Sequence, residues 1–172
     1  MRMKFIYFTS LILLLTSCWP KSISFQDGSM PEEWKKFTVK TLELTAPNAP
    51  ISYSSLLSEK IKAEVQNRSK LTLSTNPKKD LPEISIEGNI SNYAISPIAI
   101  QPGDNAAKNR LTVTVNFTIF ISKPKEDKMI LTSSRFADYD SSTDLSSIEN
   151  QLLDEINKLI VQDLINKLFS NW

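Results

Sequence analysis

Apolar and polar residues alternate with a period of two along the whole of Arg110 to Ser122. Leu111, Val113, Val115, Phe117, Ile119 and Ile121 share one face, and Thr112, Thr114, Asn116 and Thr118 share the other. This pattern predicts a strand with one buried face and one wet or partner-facing face. Glu83 to Ile95 alternates through Ile84, Ile86 and Ile90, with Gly88 between them and a change of phase near Tyr93 and Ile95. Lys128 to Tyr139 reads as a third long strand, joined to the second by the turn Lys123-Pro124-Lys125-Glu126-Asp127. Two shorter strands are predicted upstream, at Phe37 to Leu44 and Leu71 to Ser74. In the first, the shift from Phe37, Val39 and Thr41 to Leu42 and Leu44 predicts a bulge or bend.

Two segments repeat with helical period instead. Residues 54 to 68 place Leu57, Ile61 and Val65 at i, i+4 and i+8, with Leu56 widening the stripe and Ser54 or Ser55 as cap. Residues 146 to 169 carry Ile148, Leu152, Ile156, Leu159, Ile160, Leu164 and Leu168, with Ser146-Ser147-Ile148-Glu149 as a capping box. A β-α-β start implies two parallel strands, and the later hairpins imply antiparallel ones, so the sheet is mixed. Each helix needs a cover for its stripe, and one sheet face supplies it. The expected architecture is α+β, a two-layer sandwich with two helices on one face of a mixed sheet of about four to five strands.

The N-terminal apolar run, Phe5 to Leu15, is only 11 residues long and stands behind Arg2 and Lys4. A membrane span needs about 20 apolar residues, whereas a secretory leader needs a basic start, a short apolar run and small residues before its cut. Leu15-Thr16-Ser17-Cys18 resembles, position by position, the lipobox of diacylglyceryl-modified bacterial lipoproteins. That resemblance implies cleavage between Ser17 and Cys18, a diacylglycerol on the Cys18 sulfur and an N-acyl chain such as palmitate on its amine. Several chains at about 0.8 kcal/mol per buried CH₂ make a durable anchor. The expected organisation is a signal peptide over 1–17, a lipidated N-terminus and tether over 18–35 with Pro20, Gly28 and Pro31, and one domain over 36–172.

Composition narrows the chemistry. Cleavage leaves the 155 residues from Cys18 to Trp172, enough for one domain with a sizeable core. Losing Arg2 and Lys4 takes the formal charge from +1 to −1, so nothing favours bulk attraction to nucleic acid. Cys18 is the only cysteine, and histidine is absent. Disulfides, Ser-His and Cys-His nucleophile pairs and the usual zinc ligands are thereby excluded.

Asp138, Asp140, Ser142, Asp144, Ser146 and Glu149 fall at positions 1, 3, 5, 7, 9 and 12 of a calcium-loop spacing. Thr143 stands where the sharp turn demands Gly, and the preceding segment reads as a strand, so no metal is expected. Asp144 and Ser146 are better read as caps of the C-terminal helix. The same acids define an alternative, a carboxylate-based hydrolase on Asp138, Asp140 and Asp144, which requires them in one concave pocket. Lys78 and Lys79 share an exposed turn, and Lys108 and Arg110 stand at the end of the Pro97 to Asn109 loop. These four are candidate donors to the phosphates of a phosphorylated glycolipid.

Across nearly all of the expected mature chain the sequence resembles the LptE-type lipopolysaccharide-assembly lipoproteins of the Gram-negative outer membrane. The residues carrying the likeness are Leu71-Thr72-Leu73, Ile86-Glu87-Gly88 with Tyr93 and Ile98-Ala99-Ile100, Asn109-Arg110-Leu111-Thr112-Val113-Thr114-Val115, Arg135-Phe136-Ala137-Asp138-Tyr139-Asp140, and Asn166-Lys167-Leu168-Phe169-Ser170-Asn171-Trp172. The resemblance implies a two-helix, four-stranded fold and an outer-membrane anchor on the periplasmic side. It also implies a non-enzymatic role as plug and assembly subunit in the lumen of the LptD β-barrel, helping to deliver lipopolysaccharide. Lys78, Lys79, Lys108 and Arg110 come from local chemistry and not from the resemblance. The alternative is a stand-alone periplasmic lipid- or glycan-binding lipoprotein, which calls for a closed apolar cavity.

Overall fold

The computed structural model describes residues 30–76, 79–98 and 107–169. The elements in chain order are β1 (Lys36–Val39), β2 (Glu43–Leu44), α1 (Tyr53–Arg68), β3 (Thr72–Leu73), β4 (Ile84–Ile98), β5 (Lys108–Ile121), β6 (Asp127–Asp140) and α2 (Leu145–Phe169). Across the sheet the order is β3-β1-β4-β5-β6, with β2 also beside β4. The short strands pair in parallel, Lys36 beside Thr72, Phe37 beside Ile84 and Leu44 beside Ile90. The three long strands are antiparallel. Two helices on one face of a mixed sheet form the expected α+β sandwich.

The first predicted strand is interrupted, and the interruption is the bend its phase change required. Phe37 and Val39 point inward, and the next inward residue is Leu42, three positions on. The intervening chain leaves the ladder after Lys40 donates its N–H to Ile86 O at 2.9 Å, and β2 then rejoins the same β4 edge. The displaced Leu42 N–H donates instead to Ser58 Oγ at 3.0 Å, and that hydroxyl donates to Ser54 O at 2.6 Å. A buried serine of α1 therefore satisfies the donor that the bulge orphans.

In β4 the register slips between Ile90 and Asn92, with Ser91 as the extra residue, which moves the inward phase from Ile90 to Tyr93. Ile95, in phase with Tyr93, is nevertheless 47 % exposed. From Ala94 to Pro97 residues of both phases are exposed, so the helices leave this corner of the sheet uncovered. The predicted Pro97 to Asn109 loop is shorter than its composition suggested, since Pro97 pairs with Asn109 and Ile98 with Lys108.

On α1, Tyr53, Leu57, Ile61 and Val65 are buried. Leu56 does not widen the stripe; it is 51 % exposed because one residue is a 100° turn away from Leu57. The helix begins at Tyr53 with Ser52 at the cap position and no side-chain cap bond, so neither Ser54 nor Ser55 caps it. On α2, Leu152, Leu153, Ile156, Ile160, Val161, Leu164, Ile165 and Leu168 enter the core, whereas Leu159 is 41 % exposed on its flank. The predicted capping box does not form. Asp144 Oδ1 accepts the Ser146 N–H at 3.1 Å, and Glu149 is drawn away to accept the Tyr93 hydroxyl.

Inward side chains from every layer form one hydrophobic cluster. Burying each of its large aliphatic side chains is worth about 1.5–3 kcal/mol. Lys60 with Asp154 and Arg68 with Gln162 link the two helices at the surface, and Tyr53 donates its hydroxyl to Asn157 Oδ1 at 2.7 Å inside. The chain enters at the β5–β6 turn end of the sheet. There the Trp34 indole N–H donates to Lys123 O at 2.7 Å, and the Lys35 and Lys36 N–H groups donate to Glu83 Oε2. No helix among the described residues is long and apolar enough to cross a membrane.

α2 is pinned to β6 by Asp163, which accepts hydrogen bonds from Ser133 and from two nitrogens of Arg135. Burial pushes the Asp163 carboxyl up, but those hydrogen bonds and the Arg135 charge hold it below its usual value. A carboxyl depressed in the folded state stabilises above its unfolded value and loses that contribution as pH falls through the folded one. Asp163→Asn is therefore expected to cost about 1–2 kcal/mol at neutral pH. The gap should begin to narrow below about pH 4, where free carboxyls protonate, and close as pH falls through the lower folded value. Urea melts at both pH values check this, and a gap that does not change with pH would contradict it.

Candidate functional site

The uncovered face of the sheet is the one surface that the alternation predicts and the helices leave open. On β5 it carries Arg110, Thr112, Thr114, Asn116, Thr118 and Phe120, because the odd residues are spent on the core. β6 adds Lys128, Ile130, Thr132, Ser134, Phe136 and Asp138, each directly opposite one of these. β4 adds Ser85, Glu87 and Asn89 before its bulge and Asn92 and Ala94 after it.

At the centre of this face the polar side chains bond one another across the strands. Asn89 Nδ2 donates to Thr45 Oγ1 at 3.2 Å, Asn116 Nδ2 to Asn89 Oδ1 at 3.4 Å and Ser91 Oγ at 3.0 Å, and Thr132 Oγ1 to Asn116 Oδ1 at 2.8 Å. The Thr114 and Ser134 hydroxyls share a bond at 2.9 Å in the next row. Such cross-strand pairs hold the polar groups in a fixed lattice that stays accessible to water or a polar partner. Two open depressions lie along one side of the face. One of about 410 Å³ is floored by Asn89, Asn116 and Thr118, and one of about 590 Å³ lies between Pro82, Ser85, Phe120 and Lys128.

Apolar and charged groups flank this polar centre. Ile130 is 66 % exposed and Phe136 46 % exposed, and Phe120 stands at the other end. Arg110 donates from Nε and Nη2 to Asp138 at 2.7 and 2.9 Å, with its guanidinium 3.6 Å from the Phe136 ring centroid. The Arg110 hydrogen bond, together with the Arg110 and Lys108 charges, holds the Asp138 carboxyl below its usual value. Arg110 is pushed up in turn by the same bond, so the pair stays ionised.

The basic candidates are not brought together. Lys108 and Arg110 are at the start of β5, at the end of the sheet where Ile98 pairs with Lys108, and Lys79 precedes β4 at the other. The length of β4 puts them on the order of 40 Å apart. Arg110 already commits two nitrogens to Asp138. Lys78, Ser17 and Cys18 lie outside the described residues. The acids of the calcium-like spacing are dispersed among structural partners: Asp138 holds Arg110, Asp140 accepts from the Ser142 N–H and hydroxyl, Asp144 caps α2 and Glu149 holds Tyr93. Asp138, Asp140 and Asp144 thus each have a structural partner of their own. Among the described residues no group of three or more acidic, histidine or cysteine side chains could hold a metal ion.

Phe120, Ile130 and Phe136 were not among the sequence candidates for this face. The signal for Phe120 was present, since it falls in the polar phase of β5 right after Thr118. Ile130 and Phe136 became visible only once the β5–β6 register assigned them a side.

No curated protein matches the chain by sequence. Among solved structures, the chain is similar to uncharacterized lipoprotein B from Nitrosomonas europaea, at 11 % identity and a TM-score of 0.51, covering 85 % of this chain and 88 % of that one. It is also similar to a minor lipoprotein from Acinetobacter baumannii, at 17 % identity and a TM-score of 0.47, covering 80 % of this chain and 94 % of that one. At such identities the first likeness speaks for the fold alone, which is the α+β sandwich described above. The family model for LptE, lipopolysaccharide-assembly, matches residues 39–168. That span runs from the end of β1 to the last turn of α2 and includes the whole open face, and the chain belongs to the LptE lipopolysaccharide-assembly family.

Proposed function

We propose that this protein is a non-enzymatic outer-membrane lipoprotein, anchored through Cys18 on the periplasmic side, that acts as plug and assembly subunit of an LptD-type β-barrel in lipopolysaccharide transport. The observation that carries the reading is the family match over residues 39–168 on a domain with a filled core and a hydrogen-bonded polar exterior face. A barrel lumen is polar, so a body seated in it must keep its own core and present polar groups outward. Asn89, Asn116, Thr132 and Thr114 offer such a surface. A lipid-binding module would instead need a closed apolar cavity, and the inward positions here are occupied by packed side chains while the depressions open on the polar face.

Affinity purification of the lipidated protein from native membranes is the direct test. Recovery of a large β-barrel, together with a weakened barrier to hydrophobic antibiotics on depletion, is the expected result. Recovery of the lipoprotein alone, with the barrier intact after depletion, would overturn the reading.

A further inference from the structure

Among the described residues β6 is the last strand of the sheet, a long edge whose charged side chains, among them Lys128, Arg135 and Asp138, leave Ile130 to Ser134 uncharged. It runs for 14 residues with no proline, pairs with β5 without a register shift, and has no further strand beyond it among the described residues. The direction of its backbone groups follows from one hydrogen bond. Ser141 donates its N–H to Ala107 O at 3.0 Å, in the register that pairs Lys108 with Asp140. Odd residues of β6 therefore bond to β5, and the N–H and C=O groups of the even residues point off the edge. From Ile130 to Asp138 these even-residue groups have no backbone partner among the described residues. Such an edge is a template for another strand.

The side chains on the open face select the occupant. We infer that β6 pairs antiparallel with β6 of a second copy of this chain about a two-fold axis at Ser133, joining the two sheets into one. In that register Lys128 stands opposite Asp138 of the second copy, Ile130 opposite Phe136, and Thr132 opposite Ser134. Charge meets opposite charge, apolar meets apolar and hydroxyl meets hydroxyl, each twice by symmetry. All three are pairs of even residues, whose free N–H and C=O groups are the ones that must bond. Neighbouring registers lose this match. Centring on Ser134 sets Ile130 against Asp138 and Thr132 against Phe136, and centring on Thr132 sets Lys128 against Phe136. The apolar pair would also cover Ile130, the most exposed large apolar side chain of this face. Because the joined sheets are twice the width of one domain, this pairing describes the protein outside a barrel, and its failure would leave the proposed plug role standing.

Sedimentation equilibrium of the full chain in density-matched detergent tests it. A monomer–dimer equilibrium is expected, and Ile130→Lys, at a position too exposed to disturb folding, should raise the dissociation constant at least about tenfold by placing an ammonium against the Phe136 ring edge and desolvating it. The register is read by oxidising chains carrying Thr132→Cys or Ser134→Cys. Opposite residues have Cα atoms about 5.5 Å apart, within disulfide reach, whereas a residue and its own symmetry mate here lie about 8 Å apart, beyond it. A mixture of the two variants should cross-link and neither alone should. A chain that stays monomeric, a dimer indifferent to Ile130→Lys, or cross-linking of either variant alone would overturn the inference.

Discussion

Gly88→Val is expected to cost this fold at least about 3 kcal/mol, at the upper end of what overpacking usually does. A Cβ at Gly88 would lie 2.6 Å from Asn116 O, 3.0 Å from Leu42 Cδ2 and 3.1 Å from Phe117 Cδ1. The first contact decides the magnitude. Asn116 O is backbone of β5, which is paired on both sides, and cannot swing aside as a side-chain tip could, and Phe117 is itself buried. Leu42 fills the space above Gly88 because the β1–β2 bulge delivers it there, so the glycine, the bulge and the Ser58 hydroxyl that closes it form one device. Gly88→Ala should lose less than the valine but more than a typical surface change. Urea denaturation of both variants measures this; a valine variant as stable as the parent would mean that the close packing of Leu42 over β4 is wrong.

Cys18→Ser is expected to have the largest effect on location while leaving the fold untouched. Mass spectrometry of the native N-terminal peptide should show Cys18 as the first residue carrying three acyl chains. The serine variant should lose both that mass and its place in the outer-membrane fraction of a density gradient. At about 0.8 kcal/mol per buried CH₂, three acyl chains supply far more than a single exposed side chain could. The most exposed large apolar side chains among the described residues, Ile51, Leu81 and Ile130, lie just before α1, just before β4 and on β6. A serine variant that still sedimented wholly with the outer membrane would remove the lipoprotein reading.

The open face shows how far a sequence reaches toward a site. Thr112, Thr114, Asn116 and Thr118 were readable as one wet face because a strand's period of two is enforced by the backbone itself. Their hydrogen-bonding partners were not readable, since Asn89, Ser91 and Thr132 reach Asn116 only through the pairing of strands far apart in the chain. The distance between the two pairs of basic candidates was not readable for the same reason. Lys79 and Lys108 are both near the ends of β-segments, but the antiparallel order sends them to opposite ends of the sheet.

Local periodicity alone determined the elements, their order, the bend before Leu42 and the phase change after Ile90, because each depends on which side of the backbone successive residues point. It also pointed to two helices covering one face of a mixed sheet, because that is the simplest way to bury both stripes. Only the tertiary structure decided which members of a stripe are core. Leu56 and Leu159 are as apolar as their neighbours, yet each lies a fraction of a turn from the sheet and faces water. The same holds for competition between partners. Glu149 has the spacing of a capping-box residue, but the Tyr93 hydroxyl brought to it by β4 takes the carboxylate, and Asp144 caps α2 instead. Burial and partner choice are properties of distances between segments, and those are set by packing, not by sequence neighbours.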